Sequence, residues 1–216
     1  MHSMPTLAVV VGLAAEARIA RRLGLPVAIG GGTASGAEVA ARRLVVSGAT
    51  GLISFGLAGG LDPALRAGIL LVPTAVLVDG RSVPTDAVLS QTFSDGMAGL
   101  LLGARDVAAS AASKAALFAA TGAAAVDLES GAVARVAAEH GLPFAVLRAI
   151  CDPAERNLPP AALIALDRHG AIGLARVLRS VLAHPAQVPG LLALAADAAA
   201  ARRALRDAIA RIRTSG

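Results

Sequence analysis

Two carboxylates close two apolar runs in this chain. Ala125-Val126-Asp127-Leu128-Glu129-Ser130 holds one, and Leu147-Arg148-Ala149-Ile150-Cys151-Asp152 holds the other. The second run, from Phe144 to Ile150, reads as a buried strand. The alanine-rich stretch Ala132 to His140 between them has helical spacing and is stopped by Gly141-Leu142-Pro143. Glu129 therefore leaves a strand-to-helix junction, and Asp152 leaves the end of the next strand. Ligands of open α/β sheets gather at such strand ends. One carboxylate placed to bind and one able to donate a proton suit chemistry at a sugar–base bond.

The rest of the chain must position this pair. Thr6 to Val11 is a buried first strand. Ala15 to Leu25 is a short helix stopped by Pro26, and Val27-Ala28-Ile29 runs into Gly30-Gly31-Gly32-Thr33. Gly36 to Ser47 reads as a helix with Arg42 and Arg43 on its wet face. Gly51 to Phe55 is a strand, followed by a glycine turn, Gly56-Leu57-Ala58-Gly59-Gly60. Ile69 to Val78 is a strand region, with Asp79-Gly80 as a hairpin turn signal. Thr85 to Gly99 shows no clear period. Leu100 to Leu102 is a short strand, and Ser113 to Thr121 a helix. Ala161 to Ala183 is an amphipathic helix, broken by Pro185 to Pro189. Strands alternate with helices, so the expected class is α/β: three layers, α/β/α, around a mixed, largely parallel sheet. Residues 1–184 are read as the catalytic domain and 185–216 as a helical extension. In that extension Leu205, Ile209 and Ile212 form an apolar stripe flanked by arginines. It either packs on the protein, in this chain or a second subunit, or lies on a membrane surface.

Composition narrows the options. The 216 residues are 56% hydrophobic but 2% aromatic, so a core must be packed from alanine, valine, leucine and glycine. With 16% charged residues and high apolar content, the chain is not disordered. Tyrosine and tryptophan are absent, which removes the usual platform for stacking single-stranded nucleic acid. The net charge of +5 is almost all arginine; Lys114 is the only lysine. We read this mainly as the codon bias of a GC-rich genome, and secondarily as attraction to phosphate or anionic lipid. A single cysteine, Cys151, allows no internal disulfide and fits a reducing, cytoplasmic setting. Its place beside Asp152 invites a nucleophile reading, but a small buried residue at a strand end is the preferred one. No apolar run is long enough to span a membrane, and no His/Cys cluster has metal spacing.

Taken in order, several pieces resemble one family. They are Gly12 followed by Glu16, then Ser35-Gly36, then Gly56-Leu57-Ala58-Gly59-Gly60-Leu61-Asp62-Pro63, then Val126-Asp127-Leu128-Glu129, then Arg148-Ala149-Ile150-Cys151-Asp152. The set, over residues 6 to 183, resembles the purine nucleoside phosphorylase and methylthioadenosine/adenosylhomocysteine nucleosidase superfamily. The short length, reduced middle and arginine-rich tail look most like its hopanoid-associated phosphorylases, which are thought to remove adenine from adenosylhopane. The resemblance implies a cytoplasmic homodimer, without cofactor, that cleaves an adenine nucleoside. A lipid-linked substrate would bring it to the periphery of the inner membrane. It also implies roles. Asp152 would donate a proton toward N7 of the purine, and Glu129 would accept hydrogen bonds from the ribose hydroxyls. Leu128 would pack against ribose, and Glu16 would position an attacking water. Gly56 and Gly59 would let backbone approach sugar or phosphate.

The chain also departs from that pattern. Leu57 replaces a serine, and Ala108 and Ala109 stand where a base-stacking phenylalanine is usual. Asp79-Gly80-Arg81-Ser82 is a shortened loop. These changes imply a wide, apolar mouth on the 5′ side, suited to a large greasy substituent. They also fit an inactive or relaxed relative that only binds its ligand, although retention of both Glu129 and Asp152 favours an enzyme; a small-nucleoside salvage enzyme is the remaining alternative, which the width of the 5′ end would separate. Two nucleophiles remain open. Phosphate as co-substrate would use Gly30 to Thr33 as an anion nest, with Arg18, Arg42 or Arg148 supplying charge. Water would use Glu16 as base. As a buried-strand arginine, Arg148 must be paired, so orienting Glu129 or Asp152 is its alternative role. Asp106 reaches either the pocket or an ion pair. His140 is expected to end its helix rather than act in chemistry, and His169 and His184 to face solvent.

Overall fold

The computed structural model describes residues 6–93, 95–165 and 183–214. The expected helix from Ala161 to Ala183 is seen only at its start; His169 and the stretch around it lie outside the described residues. The strands are β1 (Leu7–Val11), β2 (Val27–Ile29), β3 (Gly51–Gly60), β4 (Leu70–Leu71), β5 (Ala75–Val78), β6 (Arg81–Pro84), β7 (Leu100–Gly103), β8 (Ala125–Asp127) and β9 (Phe144–Asp152). The helices are α1 (Ala14–Ala20), α2 (Ala34–Val46), α3 (Ala87–Gln91), α4 (Ala111–Thr121), α5 (Ser130–Glu139), α6 (Pro160–Ala165) and α7 (Val188–Thr214).

The nine strands of the described residues join one mixed, largely parallel sheet. β3 is its spine, parallel to β1 on one side and to β9 on the other. Past the end of β1, β8 pairs with β3 at Gly59 and Gly60. This corrects the expected glycine turn: Gly56 to Gly60 continue β3 as strand. Pairing to β9 and β8 supplies the hydrogen bonds that a glycine run lacks the side chains to favour by itself. The Ile69–Val78 region splits into β4 and β5 around Pro73, which has no ladder donor. Asp79 and Gly80 form the β5–β6 hairpin, both with left-handed φ, 50° and 73°. Asp86 caps α3 through Leu89 N, a helix the polar Thr85–Gly99 stretch did not announce.

Both faces of the sheet are covered, so its strands read as unbroken apolar runs. Ala8, Val10, Leu52, Phe144, Val146 and Ile150 face a layer made by α2 and α5. Val9, Val11, Ile53, Phe55, Ala145 and Leu147 face a layer made by α1 and α7. Ala37, Ala40 and Ala41 of α2 meet Ala132, Ala134 and Ala137 of α5 in the first layer. This alanine packing is how a core with 2% aromatics closes. In the second layer Leu205 and Ile209 of α7 are 0% and 1% exposed, with Ile212 packed against the same cluster. The stripe proposed for a membrane surface is therefore inside the protein: its apolar face is satisfied by β9 and α1.

Candidate active site

The site is organised along the far half of β3. Alternation on β9 sends Arg148 and Ile150 to one face of the sheet and Leu147, Ala149 and Cys151 to the other, and a register shift after Ile150 then sets Asp152 beside Gly59. Ser54 and Ala58 of β3 share the face of Arg148. On this face α5 begins, bringing Asp127, Glu129 and Ser130. Gly56 lies beside Arg148 in the register, and Gly59 beside Asp152. At about 3.3 Å per residue, these two stations are roughly 10 Å apart, the span of a nucleoside.

The Arg148 station holds three carboxylates. Arg148 is fully buried, with Nη2 2.6 Å from Asp127 Oδ2 and 3.1 Å from Glu129 Oε2. It also donates to Ser54 Oγ at 2.8 Å and Ser130 Oγ at 3.0 Å. Expected among the substrate contacts, Arg148 thus reaches Glu129 rather than Asp152, and its guanidinium is enclosed by protein. Asp127 also accepts the Ser130 N–H at 3.1 Å, which starts α5 and fixes the chain at Glu129. Glu16 is buried; its two oxygens accept Leu13 N at 2.7 Å and Leu57 N at 3.0 Å. It therefore ties α1 to β3.

Two glycines permit this crowding. A Cβ on Gly12 would stand 2.2 Å from Glu129 Oε1 and 3.2 Å from Glu16 Oε2, so these carboxylates face each other across Gly12. A Cβ on Gly56 would meet Arg148 Nη1 at 2.5 Å and Glu16 Oε1 at 2.6 Å. Burial pushes the Glu129 carboxyl up to about 7; Arg148 pulls it down, while Asp127 and Glu16 push it further up. Glu129 is thus poised between acid and carboxylate near neutral pH.

At the Asp152 station the surroundings differ. Gly59 faces the carboxylate, 3.7 Å from Oδ2 to the position of a Cβ. Oδ2 pairs with Lys114 Nζ at 2.6 Å, whereas Oδ1 is buried and has no hydrogen-bond partner among the described residues. Burial raises the Asp152 carboxyl above the usual carboxylate range, against the opposing pull of Lys114. Buried carboxyl oxygens are normally hydrogen-bonded, and at this strand end a ligand atom would complete the set. No sequence signal marked Lys114; it sits on α4, whose spacing shows only a helix.

The other expected site residues are spread around these stations. Leu57 is half-buried above Glu16, and Leu128 is half-buried between Asp127 and Glu129. Ala108 is buried against Leu61, Ala123 and Val126, and the Ala109 carbonyl accepts Leu158 N. Gly31 and Gly32 have left-handed φ of 75°, and Gly32 approaches Glu129 Oε1 and Leu13. The arginines offered for phosphate are elsewhere: Arg18 is exposed on α1, and Arg42 binds Glu38 and Glu139. Burial pushes the Cys151 thiol up to about 12, which makes it inert as a nucleophile. His140 caps α5, and His184 is exposed. Among the described residues no cluster could hold a metal, and no helix is long and apolar enough to cross a membrane.

The sequence matches the Phosphorylase superfamily over residues 27–183, and the chain belongs to that family. Its fold is shared with solved nucleoside-cleaving enzymes. One is a mutant of the Helicobacter pylori methylthioadenosine/adenosylhomocysteine nucleosidase with 5′-methylthioadenosine in its active site, 15% identical over 97% of this chain and 100% of that one, with a TM-score of 0.68. Another is the futalosine hydrolase of Helicobacter pylori, 17% identical over 85% of this chain and 99% of that one, TM-score 0.66. A third is the S-adenosylhomocysteine nucleosidase of Streptococcus pyogenes with 5-methylthiotubericidin, 20% identical over 84% and 97%, TM-score 0.66. No curated protein matches the sequence.

Proposed function

We propose that this protein cleaves the N-glycosidic bond of an adenine nucleoside, with Asp152 as the acid that protonates the leaving base and Glu129 as the acceptor of ribose hydroxyls. The observation that carries this reading is the pairing of an unpartnered, buried Asp152 Oδ1 with a Glu129 poised near neutrality, set along one strand at nucleoside spacing. The ligands held by solved proteins of the same fold support the base as adenine. We assign water rather than phosphate as the nucleophile. Among the described residues here, Asp127, Glu129 and Glu16 outnumber the guanidinium of Arg148, so an arriving phosphate meets net negative charge.

The 5′ substituent we propose is large and apolar, as in adenosylhopane. Leu13, 47% exposed, stands beside Gly32 near Glu129, so a 5′ group on a ribose held by Glu129 would meet its apolar surface. At about 25 cal/mol per Å², a triterpenoid tail outweighs a methylthio group in such a contact. We also propose a homodimer, because Val39 and Val46 on the outer face of α2 are 49% and 89% exposed and a second copy would cover them. The test is incubation with adenosine, 5′-methylthioadenosine and an adenosyl-lipid, each with and without phosphate. Adenine released without phosphate, fastest from the adenosyl-lipid, is the expected result. Adenine formed only with phosphate would replace water by phosphorolysis, and no adenine from any substrate would remove the enzymatic reading.

A further inference from the structure

Lys114 has no part in the function proposed above, yet it is the only lysine of the chain and is fully buried. A buried ammonium is strongly unfavourable unless each of its protons has an acceptor. Here each has one: Asp152 Oδ2 at 2.6 Å, the Pro153 carbonyl at 3.0 Å and the Arg156 carbonyl at 2.9 Å. The loop that Lys114 grips is held from other sides as well. Arg156 pairs with Asp197 of α7 at 2.8 Å, Ala111 N donates to Asn157 Oδ1, and Leu158 N donates to the Ala109 carbonyl. The start of α4 and the loop after β9 are thus one unit, with Lys114 at its centre and Asp152 at its edge.

We propose that Lys114 is the positioning residue of the acid step: it engages Oδ2, confines the proton of Asp152 to Oδ1, and stabilises the carboxylate left when that proton is delivered. The inference rests on the N-glycosidic reading above. An ammonium only donates, so the oxygen it engages must accept; a proton on Asp152 therefore belongs on Oδ1, the oxygen without a partner among the described residues. In the step itself, the bond from C1′ to N9 breaks and its electron pair passes into the adenine ring. The Oδ1 proton moves to N7. The water oxygen bonds to C1′, and the proton it loses goes to Glu16. Negative charge grows on Asp152 as its proton leaves, so attraction to Lys114 is stronger in the transition state than before it. Only such a difference accelerates a reaction.

The full chain with Lys114→Gln tests this. Glutamine removes the charge but can still donate to the loop carbonyls. Lys114→Arg, which keeps the charge, is the second variant. The probes are adenosine, 5′-methylthioadenosine and p-nitrophenyl riboside, whose leaving group departs without protonation. Lys114→Gln is expected to slow adenine release by about tenfold or more, part of the 10²–10⁴ a positioned acid supplies. Without the cation Asp152 ionises less readily, so the descending limb of the kcat/KM pH profile should move to higher pH. Turnover of the nitrophenyl riboside should be unchanged, Lys114→Arg should leave the limb in place, and Lys114→Gln should add no loss in an Asp152→Asn background. Equal loss on all probes with an unmoved limb would reduce Lys114 to scaffolding and overturn the inference. So would a full further loss in the Asp152→Asn background. Should Lys114→Gln not fold, a displaced limb in Lys114→Arg would overturn it too. A wild-type chain that releases adenine while Lys114→Gln matches it sinks this inference alone; a wild-type chain that releases none sinks the glycosidic reading with it.

Discussion

Burial raises both carboxyls of the site, and each gains a different chemistry from it. In the proposed reaction Asp152 is the acid, and its raised carboxyl holds a proton more readily than an exposed aspartate does. Asp152→Asn preserves size and hydrogen bonding but has no proton to give, so we expect adenine release to fall on the order of 10²-fold or more with nucleoside affinity largely kept. Near-normal turnover by the purified variant would remove Asp152 from the mechanism. Glu129 is raised from 4.5 to about 7. A carboxyl with a raised folded value stabilises the free protein fully below its unfolded value, and that contribution is lost as pH rises through the folded one. Melting temperature in the absence of ligand should therefore decline between pH 4.5 and 7, and Glu129→Gln should flatten that decline. Ligand binding runs the opposite way. In the proposed reading ribose hydroxyls donate to the ionised form, so nucleoside affinity should rise with pH up to about 7 and then level, with close to one proton released per ligand bound at about pH 5 to 6 and none well above 7. Calorimetry in buffers of different ionisation enthalpy counts that proton; finding none would separate Glu129 from the ribose.

The elements meet at glycines whose missing side chains are part of the site. β1 ends at Val11, and Gly12 turns the chain into α1 so that Glu16 can reach back to Leu57 N of β3. The Gly12→Ala methyl would stand 2.2 Å from Glu129 Oε1. Glu129 must then leave Arg148 or the place the proposed reading gives it at the ribose. A displacement of that size costs catalysis about 10²-fold even when the fold survives. We expect Gly12→Ala to melt cooperatively, to lose discrimination between ribo and 2′-deoxy substrates, and to bind the former less tightly. Wild-type discrimination in this variant would show that Glu129 contacts neither hydroxyl.

For the whole molecule, the long C-terminal helix is part of the core. Ala201, Leu205, Ala208 and Ile209 of α7 pack against the β1, β3 and β9 side chains that the sheet turns away from the site. Leu205→Ala should cost about 2–5 kcal/mol, as buried leucine truncations do. Removal of residues 190 to 216 should expose that layer of the sheet and abolish cooperative unfolding. A truncated chain that melts like the full one would mean that the sheet closes without α7. Because α7 also supplies Asp197 to the loop behind Asp152, stability and activity should fall together in this series.

How much of the fold and site was legible in the sequence depends on the range of the contact. Strand and helix identities follow from local periodicity, which is why most elements fall near their expected places. Asp152 at a strand end and Glu129 at a helix start were legible for the same reason, since an unpaired charge is not tolerated inside a buried apolar run and falls at its end. Partnership was not legible. Arg148 had to be paired, but only the fold brought it to Asp127 and Glu129 rather than to Asp152. Lys114 joins Asp152 through packing of α4 on the loop after β9, and nothing in a helical period says what a buried residue will touch. The glycine run reads as a turn until neighbouring strands supply its hydrogen bonds. The α7 stripe states that an apolar face needs cover. Whether lipid or protein covers it is decided by the tertiary structure alone, because hydrophobic burial is non-directional and any apolar partner satisfies it.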